Sequence, residues 1–174
     1  MNRKRTRLFI RTSILIVLVC AVSFTLYQNY IKSNDLEISK GKAAPNFALK
    51  DTNGKKRSLG ELEGKLILVN FWGTWCEPCK REMPAIETTY KNYHNKGFEV
   101  LAINLQESPY SISKFSKEYK ITFPILRDNG DVSKIYNVSQ IPASFFINPN
   151  GKIEKILEGE MSESQLEAII EKHL

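Results

Sequence analysis

The most constraining feature of the sequence is a pair of cysteines that directly follows an apolar segment. Residues 66–72 have the length and the β-branched and aromatic content of a buried strand. Gly73 and Thr74 mark the end of this strand, and a helix is predicted to begin near Cys76. Cys79 follows on the same face of that helix, close enough to form a disulfide. The sequence therefore predicts a dithiol at a strand-to-helix turn.

The two cysteines are predicted to differ in reactivity. The unpaired N–H groups and the macrodipole at a helix N-terminus favour an anion. Cys76 is therefore expected to carry the stabilised and exposed thiolate. A paired dithiol of this kind indicates thiol–disulfide exchange as the chemistry of the chain.

Other roles for this cysteine pair find less support in the rest of the chain. A structural zinc site needs four ligands, and the remaining candidates are Cys20, His94 and His173. A c-type haem attachment site needs histidine directly after the second cysteine, where this chain has Lys80. A purely structural disulfide remains an alternative, although so short a loop restricts the unfolded chain little. No metal or cofactor is predicted.

The positive charge of the chain is concentrated at its N-terminus. The 25 Lys and Arg residues exceed the 19 Asp and Glu residues, which gives a net charge of +6. Six of the basic residues precede the first acidic residue, Asp35, so the remainder is formally neutral. Nucleic-acid binding needs a basic face on the domain itself, and no nucleic-acid partner is predicted.

An uncharged segment at residues 12–31 predicts a membrane anchor. As a helix it is long enough to cross the hydrocarbon core once. The basic residues on its N-terminal side predict a cytoplasmic N-terminus and a C-terminal domain outside the cell membrane. The predicted organisation is a basic cytoplasmic segment at 1–11, a transmembrane anchor at 12–31, a tether at 32–42 and a folded domain at 43–174.

The same segment has one open alternative. An N-terminal apolar stretch can also be a signal peptide, and Ala21-Val22-Ser23 is a weak cleavage site for one. A lipid anchor on Cys20 is disfavoured, because Val19 stands where such signals carry a small residue.

Within the domain the pattern predicts an α/β fold. Asn53-Gly54 is a turn signal between short strands at 47–49 and 57–59, which predicts a small hairpin. Further strands are predicted at 98–105, 143–147 and 152–157. Helices are predicted from the apolar residues Met83, Ile86, Tyr90 and Tyr93, from Ile112, Phe115 and Tyr119, and after the capping-box residues Ser162 and Gln165.

The order of these elements and three local matches resemble the thioredoxin superfamily. The matches are the segment from Phe71 to Lys80, Pro84 in the following helix, and Ile141-Pro142 before an apolar strand. The resemblance implies a central mixed sheet flanked by helices, with an N-terminal hairpin and a single N-terminal transmembrane helix. Within the superfamily the chain is similar to the membrane-anchored ResA-type thiol-disulfide oxidoreductases of cytochrome c maturation, through the anchor, Cys76-Glu77-Pro78-Cys79, Glu82 and Ala44-Pro45-Asn46-Phe47.

The resemblance also implies a role for each site residue. Cys76 would attack the client disulfide, and Cys79 would resolve the mixed disulfide. Pro142 matches the cis-proline of the superfamily, which lies against the dithiol and offers neighbouring backbone to substrate. Glu82 matches a glutamate beside the dithiol, where a negative charge raises the thiol pKa and favours reduction of other proteins. Glu107 is a further candidate for the cavity.

The predicted function is reduction of client disulfides outside the cytoplasm. By resemblance the client is the CxxCH disulfide of apocytochrome c, and a membrane electron donor of the CcdA type recharges the enzyme. The alternatives are a related reductase, oxidase or isomerase for another envelope or spore-synthesis client, and a tethered binding domain with a structural disulfide. Glu77 is either a surface charge of the first helical turn or a second carboxylate of the site.

Overall fold

The computed structural model describes residues 3–34 and 38–173, and the chain divides into two units between Glu37 and Ile38. The first unit contains one helix, α1 (Arg3–Asn34). Its stretch Ile10–Gln28 has a mean hydropathy of 2.0 and is long and apolar enough to cross a membrane. The N-terminal apolar helix of the predicted fold is therefore present, and it is the one candidate span among residues 3–34 and 38–173.

The second unit is built on a mixed sheet of five strands. A two-stranded hairpin of β1 (Ala48–Lys50) and β2 (Lys56–Ser58) precedes it, which confirms the predicted hairpin. The strands of the main sheet are β3 (Leu66–Trp72), β4 (Phe98–Leu105), β5 (Ile125–Asp128), β6 (Ala143–Ile147) and β7 (Ile153–Glu158). Their order is β5-β4-β3-β6-β7, with β3, β4 and β5 parallel and β6 and β7 antiparallel to their neighbours.

The central strand β3 is apolar on both of its faces except at Asn70, and every residue in it is buried. Because side chains alternate along a strand, Leu68 and Trp72 face one core cluster and Val69 and Phe71 face the other. A strand that is apolar on both faces is stable only when both faces are covered. This pattern places β3 at the centre of the sheet, and its C-terminal end carries the two cysteines into the layer of helices.

Helices cover both faces of the sheet, as the predicted fold requires. They are α2 (Glu77–Tyr93), α3 (Pro109–Glu118), α4 (Asp131–Ile135) and α5 (Glu163–Ile170). Residues of α2, α3 and α5 belong to the cluster that contains the cysteines, among them Met83, Phe115 and Leu166. Val132 of α4 belongs to the cluster on the opposite face.

The N-terminal part of the second unit bonds to both outer strands of the sheet. The backbone of Gly41 donates to Ile153 at 2.7 Å, and Ala43 forms a bridge with Lys152 next to β7. At the other edge, Asp51 forms a bridge with Leu126 of β5. Residues 38–42, which the sequence assigned to a tether, thus include backbone that lies against the folded domain.

Candidate active site

The two cysteines form a disulfide at the start of α2, with 5.3 Å between their Cα atoms. Cys76 has an extended backbone and is the N-cap of the helix, and its sulfur accepts a hydrogen bond from the backbone N–H of Cys79 at 3.2 Å. Pro78 lies in the first turn, where its missing N–H leaves no helical bond unmade. The sulfur of Cys76 therefore takes the place that an anion favours at a helix N-terminus.

The expectation of an exposed Cys76 is wrong for the disulfide form. Cys76 is 5% exposed and Cys79 is completely buried, so the first cysteine is only slightly more accessible. The reason is packing: both cysteines belong to the core cluster that also contains Met83 and Met161. The residue directly before the two cysteines, Trp75, is 65% exposed.

Gly73 makes the position of Trp75 possible. A Cβ atom at residue 73 would lie 2.9 Å from the indole of Trp75, closer than carbon atoms approach without displacement. The absence of a side chain at residue 73 thus lets the indole cover the turn that precedes Cys76.

Pro142 lies beside the dithiol. The Ile141–Pro142 peptide bond is cis, and the sulfur of Cys76 is 3.8 Å from the carbonyl oxygen of Ile141. The strand β6 begins directly after Pro142, and its first residue, Ala143, pairs with Phe71 of β3. The antiparallel pairing of β3 with β6 thus brings together two segments that are far apart in the sequence.

Glu82 is buried on the inner face of α2, and it is 1% exposed. Its Oε1 accepts a hydrogen bond from Nδ2 of Asn70 at 2.9 Å, and its Oε2 accepts one from the backbone N–H of Met161 at 3.2 Å. Burial raises the pKa of Glu82 to about 7, although these two hydrogen bonds act in the opposite direction. The carboxyl group is therefore poised to gain or lose a proton near neutral pH.

Sequence reasoning did not single out Asn70, the partner of Glu82. Asn70 is completely buried, and it also donates to the hydroxyl of Ser144 at 3.0 Å. The signal in the sequence was one amide within seven residues that are otherwise apolar. A polar residue in a central strand needs a partner, and here the partner is the site carboxylate.

Glu77 is a surface residue of the first helical turn. Its side chain is 69% exposed and forms an ion pair with Lys80 at 2.6 Å. The hydrogen bond from Lys80 lowers the pKa of Glu77, so this carboxylate is ionised at neutral pH. Its surroundings differ from those of Glu82 on the same helix.

Glu107 supports the redox turn from outside the helix. Its carboxylate accepts hydrogen bonds from the backbone N–H of Thr74 at 2.7 Å and from the Thr74 hydroxyl. Asn104, at the end of β4, donates to the same carboxylate at 2.7 Å. His94, considered above as a zinc ligand, caps the C-terminal end of α2, at the opposite end of the helix from the cysteines.

The AhpC/TSA family matches residues 40–156 of the chain. Thiol-disulfide oxidoreductase ResA of Bacillus subtilis (strain 168) is 46% identical over 165 residues, which cover 94% of this chain and 92% of that protein. ResA of Bacillus thuringiensis subsp. konkukian (strain 97-27) is 42% identical over 171 residues, covering 97% and 98%.

Solved structures show the same relationship at the level of the fold. A thiol:disulfide interchange protein of the thioredoxin family from Chlorobium tepidum TLS superposes with a TM-score of 0.73 at 26% identity. The match covers 78% of this chain and 97% of that one, which confirms the predicted thioredoxin-like fold. With the disulfide at a helix start, the cis-proline beside it and relatives matched over nearly their full length, the chain belongs to the AhpC/TSA family of thioredoxin-like proteins and, within it, to the ResA-type thiol-disulfide oxidoreductases.

Proposed function

We propose that this thiol-disulfide oxidoreductase works outside the cytoplasm as a membrane-anchored reductase, and that its client is the CxxCH disulfide of apocytochrome c. The observation that carries the proposal is the position of the Cys76–Cys79 disulfide, at a helix N-terminus and beside the carbonyl of Ile141. A client strand that paired with the backbone before Pro142 would bring its disulfide toward Cys76. The identity of the client as apocytochrome c rests on the ResA-type relationship.

The reaction begins from the reduced dithiol. The Cys76 thiolate attacks one sulfur of the client disulfide, forms a mixed disulfide and releases the other client sulfur as a thiolate. Cys79 then loses its proton and attacks the sulfur of Cys76, which releases the second client sulfur. The client gains two electrons and two protons, and the enzyme keeps the Cys76–Cys79 disulfide that the structure contains.

The charge of Glu82 is proposed to set the thiol pKa values and the reduction potential of the dithiol. Glu82 follows Cys79 on the same face of α2, and both side chains are buried in one helix–sheet layer. Above pH 7 an ionised Glu82 disfavours the neighbouring thiolates and so makes the reduced enzyme a stronger electron donor. This charge favours the proposed direction of electron flow, from enzyme to client.

The anchor and the electron donor complete the proposal. The stretch Ile10–Gln28 would cross the membrane once, with the basic residues before it in the cytoplasm. A domain held at the outer surface needs a source of electrons in the membrane, and we assign this to a donor of the CcdA type.

The alternative of a purely structural disulfide is disfavoured. The sulfur of Cys76 caps a helix, and this site is flanked by the exposed Trp75.

The test is a trap for the mixed disulfide. Cys79→Ser removes the resolving thiol, so exchange should stop after the first attack and clients should accumulate covalently bound to Cys76. The variant is made with Cys20→Ser, which leaves Cys76 as the single thiol of the chain. Trapped proteins are released with reductant and identified by mass spectrometry.

The matched control is Cys76→Ser in the same background. It retains the buried Cys79 and should trap little. Apocytochromes c in the Cys79→Ser set and not in the control set would support the proposal. Their absence from a trapped set of other extracytoplasmic proteins would overturn the assignment of the client, and equal trapping by both variants would overturn the assignment of Cys76 as the attacking thiol.

A further inference from the structure

Asn70 contacts its neighbours through one end of its amide only. It lies on the face of β3 that also carries Leu68 and Trp72, and it is completely buried. Its Nδ2 donates to Glu82 at 2.9 Å and to Ser144 at 3.0 Å. Its Oδ1 accepts no hydrogen bond from any of the residues 38–173. Both donors of the amide are thus in use while its acceptor is unpaired.

A buried acceptor without a partner is uncommon, because leaving it unpaired costs free energy. The same amide has a second orientation, since a half-turn about its Cβ–Cγ bond exchanges the positions of Nδ2 and Oδ1. In that orientation Oδ1 would face Glu82 and Ser144.

Both neighbours of Asn70 can reverse their hydrogen-bonding roles. An ionised Glu82 only accepts, whereas a protonated Glu82 carries an O–H group that donates. The hydroxyl of Ser144 can do either. With Glu82 ionised, Nδ2 donates to both neighbours; with Glu82 neutral, both neighbours can donate to Oδ1. Each protonation state of Glu82 is thus matched by one orientation of the amide, in which one end of the amide bonds to both neighbours and the other end is unpaired.

The other groups around Glu82 cannot follow its proton in this way. The backbone N–H of Met161 only donates. Glu160 raises the pKa of Glu82 by its charge and is itself paired with Arg81 at 2.7 Å. Cys76 and Cys79, on the same helix as Glu82, are joined in the disulfide and do not titrate in this form. Among the hydrogen-bond partners of Glu82, Asn70 is thus the one that can present an acceptor, its Oδ1, to a protonated carboxyl group.

Building on the role proposed for Glu82, we propose that Asn70 is a positioning residue that sets the proton affinity of this carboxyl group, turning its amide by half a turn when Glu82 gains or loses a proton. Both protonation states of Glu82 are populated near neutral pH, because burial raises its pKa to about 7. Asn70 would keep the carboxyl group hydrogen-bonded and in place in both states.

The test is an NMR titration of the oxidised full-length chain in detergent, with 15N-asparagine and 13C-glutamate labels. In the oxidised protein the two cysteines do not titrate, so the signal of Glu82 is separate from theirs. The side-chain amide signal of Asn70 should change with pH at the same midpoint as the carboxyl signal of Glu82. In Glu82→Gln, which has no proton to lose, the Asn70 signal should show no midpoint near neutral pH.

Substitution of Asn70 provides the second measurement. Hydrogen bonds to a charged group are stronger than those between neutral groups, so Asn70→Leu should raise the Glu82 midpoint by about one pH unit. Asn70→Ala tests the same point if leucine does not fit. Ser144→Ala keeps the bond between Asn70 and Glu82 and should shift the midpoint less than either variant.

The possible results separate this inference from the proposed function. An Asn70 signal that is constant while Glu82 titrates, or a Glu82 midpoint unchanged in both Asn70 variants, would overturn the inference. The reduction potential of the same variants is then measured against pH. A shifted Glu82 midpoint with an unshifted potential profile would overturn the action of Glu82 on the dithiol and leave the role of Asn70 supported.

Discussion

Glu82 and Asp128 are buried acids that differ in the number of hydrogen bonds they accept. No Lys, Arg or His in the described part of the chain forms an ion pair with Glu82, and its two hydrogen bonds leave its pKa raised. Burial would also raise the pKa of Asp128, but the hydrogen bonds from Ser133 and Val132 lower it overall. Two buried carboxyl groups in one domain are thus shifted in opposite directions by the number of donors that reach them.

The effect of Glu82 on the dithiol should depend on pH. At pH 5 the carboxyl group is neutral, and Glu82→Gln should leave the reduction potential nearly unchanged. At pH 8 the wild-type residue is charged, so the variant should have lower thiol pKa values and a higher potential, by about 30 mV for each pKa unit. The potential is measured by equilibration with glutathione at both values.

The control for this prediction is Glu77→Gln, which removes a carboxylate from the exposed side of the same helix. Its effect should be smaller and should show no transition near pH 7. Because the two thiols and Glu82 are close in sequence on one helix, the titration of the reduced enzyme is fitted as a coupled system. Equal potentials of wild type and Glu82→Gln at pH 8 would contradict the proposed role of the charge.

The burial of Glu82 should also make the free energy of unfolding depend on pH. The pKa of Glu82 rises from 4.5 to about 7 on folding, so the folded state favours the neutral acid. The stability that the neutral Glu82 contributes to the folded state is fully present below pH 4.5 and is lost as the pH rises through about 7. Between pH 4.5 and pH 8 the free energy of unfolding of Glu82→Gln should therefore increase by about 3 kcal/mol relative to wild type. Urea unfolding of the oxidised proteins measures this difference, and a difference that is constant with pH would contradict it.

The sequence identified Glu82 but not the residues that hold it. Its position after Cys79 is a helical repeat that can be read directly from the chain. Asn70 and Met161 reach it from β3 and from the segment before α5, and such contacts depend on which strands and helices become neighbours. Local spacing carries no information on that pairing.

Elements were predicted well where their pattern was long. The strand at 98–105 is observed with the predicted bounds, and α2 begins one residue after the predicted Cys76. The strand β5 and the helix α4 were missed because each is too short for a periodicity to appear. The carboxylate of Asp128 accepts hydrogen bonds from the backbone of Val132 and Ser133, so α4 is fixed by a contact that no periodic pattern reveals.

The start of α5 offers a test of a predicted element. The side chain of Ser162 accepts from the backbone of Gln165, and the side chain of Gln165 accepts from the backbone of Ser162, which completes a capping box. Ser162→Ala removes one of these bonds and should lower the free energy of unfolding by about 1 kcal/mol. Chemical denaturation measures this loss.

The matched control is Ser116→Ala inside α3, where alanine is the better helix former. It should leave stability unchanged or slightly higher. A loss in Ser116→Ala as large as that in Ser162→Ala would show that the cap is not the cause.

At the scale of the whole chain, the orientation in the membrane can be tested by labelling. In a Cys20→Ser background, a maleimide that does not cross membranes should react with reduced Cys76 in intact cells stripped of their wall. Thr6→Cys places a thiol in the proposed cytoplasmic segment, and it should react only after lysis. Labelling of Cys76 that also required lysis would place the domain in the cytoplasm and contradict the proposed localisation.

The backbone bonds that residues 41–52 make to β7 and β5 affect how the domain behaves as a soluble fragment. The outer strands of a sheet carry unpaired N–H and C=O groups, which are templates for pairing with strands of other molecules and hence for aggregation. In this domain one segment occupies part of both edges. A fragment cut at Ala43, where the sequence suggests the domain begins, would lose the bond from Gly41 to Ile153 and free the adjacent edge for self-association, whereas a fragment that begins at or before Ile38 would keep it protected.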